Sequence, residues 1–405
     1  MDMDPWLLLT LILGLAMAWA IGANDAANSM STAVGAGAIT PKQAVLIAGI
    51  LEFTGAYFFG KTVTETIRKG IIDPSRISDP NVLVYGSLAA LLGATIWLVI
   101  ATKYGLPVST THSIIGGIVG YGVVYAGLEI VNWGKMASVV LSWILSPIVG
   151  AIFAFFIFKA IRRTVLESED PIRSAKRWSP VWIGLAFVVI GTMFYIKVLH
   201  GKSLYMGVLK LGIPVGLVVF LITSMILRVK FPKVDPYLGA EFIFRRVQVI
   251  TSGYVALAHG ANDVANAIGP VAAVYTIATM GMAGAKVPVP RWILALGGLG
   301  IAIGVATYGY RVMETVGKKI TELTNTRGFT IDFSAATVVL IASWLGMPIS
   351  TTHTVVGAVI GVGLARGVKA INKSIVRDII ISWFVTVPVA GLISAIIFKI
   401  LWIVG

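Results

Sequence analysis

The chain has 405 residues, of which 57% are hydrophobic and 12% charged, with a mean hydropathy of +0.90, so a soluble enzyme, a disordered hub and a secreted scaffold are excluded. The net charge of +14 (32 basic against 18 acidic residues) sits between apolar runs and not in a patch interleaved with aromatics, which points to loops facing anionic lipid and excludes nucleic acid as a partner. With no cysteine there is no disulfide, thiol catalysis or cysteine metal site.

Apolar runs fall at about 5–21, 41–60, 82–101, 108–126, 137–158, 181–199, 204–227, 247–279, 292–310, 333–346, 349–366 and 379–404, about twelve candidate membrane segments. Their lengths of roughly 17 to 25 residues, without period-two alternation, predict helices and not a barrel of alternating strands. The expected fold is therefore an all-α polytopic membrane protein of the cell (inner) membrane. The acidic leader before the first run is wrong for a signal peptide, so that run is read as a retained helix. If every run crosses once and the N-terminus is outside, inside loops carry 21 of the 32 Lys and Arg and outside loops 11, as the positive-inside rule requires. The charged stretch 159–177 is the natural break between halves and is expected to be cytoplasmic.

The chain repeats itself. GANDAAN at 22–28 recurs as GANDVAN at 260–266, and GLPVSTTHSIIGGIVG at 105–120 returns as GMPISTTHTVVGAVIG at 346–361. GAYFFGKTVTETIRK at 55–69 aligns with GVATYGYRVMETVGK at 304–318, and Ser142-Trp143 aligns with Ser382-Trp383. Two five-segment units follow, 1–160 and 245–405, joined by a basic linker and two connecting transmembrane helices over 161–244. About seven segments separate their starts, an odd number, so the second unit is inverted, the architecture of secondary transporters with a site at the repeat interface. Broken or re-entrant helices are expected within each unit.

Polar residues concentrate where lipid makes them costly. Four of the eight asparagines, Asn24, Asn28, Asn262 and Asn266, lie in the two seven-residue motifs. Asp25 and Asp263 are sharper anomalies, since a carboxylate at membrane depth costs at least about 2.5 to 3.5 kcal/mol. The 33-residue apolar stretch around the second motif exceeds a bilayer core, which predicts a helix broken near Gly-Ala-Asn-Asp. Unwound carbonyls, Asp25, Asn28, Asp263 and Asn266 would then offer an oxygen-only ligand set suited to sodium. After Pro107 and Pro348 come the hydroxyl triplets Ser109, Thr110, Thr111 and Ser350, Thr351, Thr352, read as helix starts within the membrane that attract an oxyanion. Asn24 and Asn262 join them as anion ligands. His112 and His353 are supporting candidates, Glu52 and Asp332 are candidates for coupling, and His259, present in one copy only, ranks below them. Hydroxyl and N–H donors suit phosphate or sulfate, and an anion channel or an intramembrane aspartyl protease using Asp25 and Asp263 are rival classes.

GANDAAN and GANDVANAIGP, the paired PVSTTH and PISTTH, and the Glu52-containing segment resemble the inorganic phosphate transporter (PiT) family over nearly the whole chain. The resemblance implies a secondary active transporter importing phosphate with sodium, as in many members, or with protons or as metal phosphate, as in some bacterial ones; some relatives move sulfate. It implies no enzyme activity and no cofactor beyond co-transported sodium, and leaves self-association into a homo-oligomer open. The family's transport-essential acid in the second segment matches Glu52. Its second such acid, a Glu in many animal members, matches Asp332, one methylene shorter. The motif serine after Thr-Thr-His matches Ser113, with Thr354 in the second copy. The middle linker is much shorter than the cytoplasmic loop of animal relatives, so functions of that loop do not transfer.

Overall fold

The computed structural model describes residues 4–72, 77, 79–104, 108–228, 234–281, 288–309, 322–367 and 373–404, and all twelve apolar runs lie on helices. In chain order these are α1 (Pro5–Asn24), α2 (Ala26–Gly35), α3 (Pro41–Phe59), α4 (Lys61–Gly70), α5 (Pro80–Lys103), α6 (Thr110–Ala126) and α7 (Trp133–Ile161). Then follow α8 (Pro171–Lys197), α9 (Leu204–Gly207), α10 (Ile213–Ile226), α11 (Pro236–Met280), α12 (Arg291–Gly304), α13 (Asn325–Trp344), α14 (Thr351–Arg366) and α15 (Lys373–Val404). Local chemistry sets the starts: Asp4, Thr40, Asp79, Asp170 and Asp235 each cap a helix whose first turn holds a proline. Among the described residues β structure is limited to an isolated bridge between Ile72 and Val131.

The chain is an all-α polytopic membrane protein. Seven described helices are long and apolar enough to cross a membrane, and an eighth span results if α3 and α4, bent by 70° at Gly60, are counted as one. Helices α6 and α14, at 17 and 16 residues, reach only about 25 Å, less than a bilayer core.

The expected break at Gly-Ala-Asn-Asp is found as a helix boundary at Asp25 in the first copy and is corrected in the second. Around the second motif α11 runs unbroken for 45 residues. In the first copy α1 gives way to α2 at Asp25, whose backbone stays right-handed helical (φ −89°, ψ −41°) and whose N–H still donates to Ile21 O at 2.8 Å. The expectation assumed a helix facing lipid. Helix α11 instead packs against α1, α2, α3, α4, α5, α8, α12 and α13, so its environment is protein and its length of about 67 Å is not limited by the bilayer.

The motif glycines serve close packing, not breakage. A Cβ at Gly22 would come within 2.1 Å of Ile301 O, and one at Gly260 within 2.1 Å of Glu52 O. These are the same contact twice, since the aligned segments place Gly22 opposite Gly260 and Ile301 opposite Glu52. In a second equivalent pair a Cβ at Gly116 would come within 2.5 Å of Val387 O and one at Gly357 within 2.1 Å of Pro147 O. In each case a helix of one sequence unit rests on a helix of the other: α1 on α12, α11 on α3, α6 on α15 and α14 on α7. The two halves of the sequence are interleaved through these helices, which brings both copies of each motif to the centre.

Lys197 fastens this arrangement from the connecting segment, donating to Thr62 Oγ1 on α4 at 2.7 Å and to Trp344 O at 3.2 Å. Thr66 Oγ1 also donates to Gly346 O at 2.8 Å, so the bent α4 is tied to the turn before α14.

Gly260→Ala is expected to destabilise the detergent-purified protein by about 1–3 kcal/mol through overpacking, read as a lower unfolding midpoint. Gly49→Ala, whose Cβ would meet nothing closer than 3.7 Å, is expected to leave the midpoint unchanged or raise it.

Candidate functional site

Helices α6 and α14 begin alike. Ser109 Oγ accepts from His112 N–H at 3.3 Å and Ser350 Oγ accepts from His353 N–H at 3.2 Å, so each serine is an N-cap and each pair of threonines opens the helix. Pro348 precedes α14 as expected; Pro107 lies outside the described residues. The N–H groups of both first turns stand outside the intrahelical ladder.

The threonines converge on two carboxylates. Asp25 accepts from Thr110 Oγ1 at 3.0 Å and from Thr352 Oγ1, one hydroxyl from each helix start. Asp263 accepts from Thr351 Oγ1 at 3.2 Å, from Asn262 Nδ2 at 2.7 Å and from Asn266 Nδ2 at 3.4 Å. The Asn266 amide also donates to Thr110 Oγ1 and Thr111 Oγ1, both at 3.1 Å. Asn262 and Thr111 donate to Ile349 O at 2.7 and 3.1 Å, closing the ring over the turn before α14. Asn24 turns aside to Thr102 Oγ1 on α5. All these residues except the half-buried Thr102 are buried. The side chain of Asn28 lies outside the described residues.

His259 belongs to this centre, although its single copy ranked it low. Its Nε2 lies 2.6 Å from Asp263 Oδ2 and its Nδ1 2.7 Å from Glu52 Oε2, all buried, so one imidazole bridges the two acids. Ligand atoms of Asp25, His259 and Asp263 all lie within 4.8 Å of one another. The signal was present in the sequence as an i, i+4 spacing to Asp263, which puts both side chains on one helical face. Glu52 thus reaches the centre through His259, with Ser29 Oγ 3.5 Å from its other oxygen.

Asp332 is buried and accepts from Ser252 Oγ at 2.5 Å and Thr32 Oγ1 at 2.6 Å. Ser252 and Thr32 carried no sequence signal beyond being hydroxyls in apolar runs. Ser113 and Thr354 are back-bonded to the cap carbonyls, Ser113 Oγ to Ser109 O at 2.8 Å and Thr354 Oγ1 to Ser350 O at 2.9 Å. His112 and His353 meet edge to face at 4.4 Å between Trp143 and Trp383, whose rings lie 3.8 and 3.5 Å away. They join the two helix starts by packing and make no hydrogen bond to Asp25 or Asp263.

Among the described residues no lysine or arginine is buried. The arrangement therefore combines anionic oxygens, which can coordinate hard cations, with hydroxyls and helix N-termini, which can bind an oxyanion.

His259→Leu is expected to cost about 3–5 kcal/mol by leaving buried acids without their bridge. In a Glu52→Gln background the same change should cost at least about 1 kcal/mol less, and strictly additive unfolding free energies would contradict the bridge.

Comparison with known proteins gives the chain's family. A family model described as the phosphate transporter family matches residues 21–394. A Pyrococcus horikoshii protein carrying the name "Putative phosphate permease" is 88% identical over 402 residues, with 99% of each chain covered. The inorganic phosphate transporter 2-1, chloroplastic, of Arabidopsis thaliana is 42% identical over 420 residues, covering 96% of this chain and 70% of that one. A solved structure titled "The sodium-dependent phosphate transporter" superposes with a TM-score of 0.95 at 48% identity, covering 99% of this chain and 100% of that one. This chain belongs to the phosphate transporter family.

Proposed function

We propose that the chain imports inorganic phosphate coupled to sodium by alternating access, with phosphate held between the starts of α6 and α14 and sodium on Asp25 and Asp263. Secondary transport of phosphate follows from the family. The sodium coupling and the residue roles are our own reading, supported by one observation above the rest: three threonine hydroxyls from two helix starts donate to two buried carboxylates, with no lysine or arginine buried among the described residues. The name of the structural relative, a sodium-dependent phosphate transporter, points the same way.

A hydroxyl has one proton to donate. While Thr110, Thr351 and Thr352 give theirs to Asp25 and Asp263, they are not available to an anion. Sodium on the carboxylates removes the need for those bonds and lets the hydroxyls turn to phosphate oxygens, alongside the first-turn N–H groups and the positive ends of both helix dipoles. Phosphate without cations would face two uncompensated carboxylates in a dry site. Each ligand removes the other's cost, which is thermodynamic coupling. Asn262 and Asn266 hold the threonines and Ile349 in place; the serine caps hold the helix starts.

For alternation we read about twelve segments as two inverted repeats, 1–160 and 245–405, joined through 161–244, with the N-terminus outside and the basic linker in the cytoplasm. The recurrence of both motifs, the equivalent glycine contacts between units and the distribution of basic residues support this topology.

Phosphate uptake into proteoliposomes is expected to require an inward sodium gradient; equal uptake driven by a proton gradient in sodium-free buffer would overturn the coupling. Asp25→Asn and Asp263→Asn are expected to lower sodium-driven uptake more than about 100-fold, the equivalent of about 3 kcal/mol, with unchanged elution on size exclusion. Retained uptake would remove these acids from the coupling site.

A further inference from the structure

The turn 345–350 joins α13 to α14 and leads directly into the Ser350 cap and the threonines of the site. Near its end it is tied to the site, since Ile349 O accepts from Asn262 Nδ2 and Thr111 Oγ1. At its beginning it is tied to helices that carry no site residue. Gly346 O accepts from Thr66 Oγ1 at 2.8 Å, and Trp344 O accepts from Lys197 Nζ at 3.2 Å, while the same ammonium donates to Thr62 Oγ1 at 2.7 Å. Thr62 and Thr66 are four residues apart and share one face of α4. The 70° bend at Gly60 turns α4 away from the line of α3, and these bonds lay its threonine face against the turn. The fit is close: Gly346 has φ +71°, and a Cβ there would lie 3.1 Å from Thr62 Cγ2.

A lysine at the end of a spanning helix ordinarily reaches into water or headgroups. Lys197 is half-buried and turned instead onto α4 and α13. It belongs to the connecting segment, outside both sets of repeated motifs, so duplication supplies no counterpart to it. Lys103, which holds the place of Trp344 in the first hairpin, is exposed. The fastening is therefore one-sided.

The chemistry of the contact suits a bond that is made and broken. Among the described residues both acceptors of Lys197 are neutral oxygens. A carboxylate in the same half-buried place would form a pair costly to separate, whereas an ammonium between a hydroxyl and a carbonyl exchanges them for water when the helices part. Two of the three bonds end on main-chain carbonyls, so they fix where the turn sits whatever its side chains are.

We propose that Lys197 is a positioning residue for transport: it is the latch that holds α4 over the 345–350 turn and closes the phosphate site toward the outside, and its release opens the site to incoming phosphate. Helix α8 begins in the basic linker, cytoplasmic in the topology proposed above, and its 27 residues reach about 40 Å, so Lys197 lies toward the outer face. The proposal rests on that topology and on alternating access.

The chain has no cysteine, so single cysteines report without background. The test labels two parent variants with a membrane-impermeant thiol reagent. Met347→Cys, in the latched turn, is treated from outside in intact cells, and Tyr104→Cys, at the 72% exposed tip of the first hairpin, from the cytoplasmic side in inverted vesicles. Adding Lys197→Met is expected to raise outside labelling of Met347→Cys at least about tenfold without raising cytoplasmic labelling of Tyr104→Cys, because a shifted equilibrium trades one exposure for the other. Should Lys197→Met fail to fold, Thr62→Val carries the same expectation. Unchanged outside labelling overturns the latch, and so does a rise at both cysteines, which marks general loosening. Parents labelled from the opposite faces overturn the topology, and parents labelled equally from both faces overturn alternating access. Parents labelled from the expected faces, with no response to either added variant, overturn the latch alone.

Discussion

Two carboxylates, Asp25 and Asp263, share one dry centre, and among the described residues no lysine or arginine is buried to oppose them. Charges in such a place are stable only when compensated. His259 and the hydroxyls of Thr110, Thr351 and Thr352 compensate in part, and what remains is a strong preference for cations. An oxyanion entering the same space meets that negative charge unless cations are already there. The linkage of phosphate to sodium proposed above thus rests on electrostatics that a buried lysine would abolish, since a fixed cation would hold phosphate with no need of a second solute.

The fold keeps this centre together by exchange. Each motif helix also reaches across to the other half of the sequence: α1 rests on α12 and α11 on α3, each through a glycine against a carbonyl. These contacts leave no room for a side chain, so the relative position of the two carboxylates is held by backbone and not by flexible groups. The short helices α6 and α14 complete it, meeting through His112 and His353 between two tryptophans. Packing of rings behind the threonines keeps the helix starts facing the acids, a positioning role for histidines that sit beside a binding motif.

Much of this was legible in the sequence because the polar exceptions stand out against an apolar chain. The duplicated Asn-Asp and Ser-Thr-Thr-His motifs named the threonines, Asp25 and Asp263 that the fold brings together. The helix starts followed from cap chemistry at Ser109 and Ser350. What hydropathy misjudged was α11, since a long apolar run reads as a helix in conflict with bilayer thickness when its neighbours are invisible. Surrounded by protein, the helix has no such conflict, and the glycines at 22 and 260 mark close packing. His259 was undervalued because duplication was the guide, and His259 is where the duplicate differs. Ser252 and Thr32 were out of reach, because only tertiary packing tells which hydroxyl finds Asp332.

Those differences between the copies carry as much meaning as the identities. Residues common to both copies build the shared centre, while Glu52, His259 and Asp332 occur in one copy only, opposite Ile301, Ile21 and Leu91. The most direct test of the shared centre needs no membrane: binding of phosphate to the purified protein across a sodium titration. Coupling through the two carboxylates predicts that saturating sodium tightens phosphate at least about tenfold, or about 1.4 kcal/mol, and that phosphate tightens sodium by the same factor. Phosphate affinity independent of sodium would contradict it.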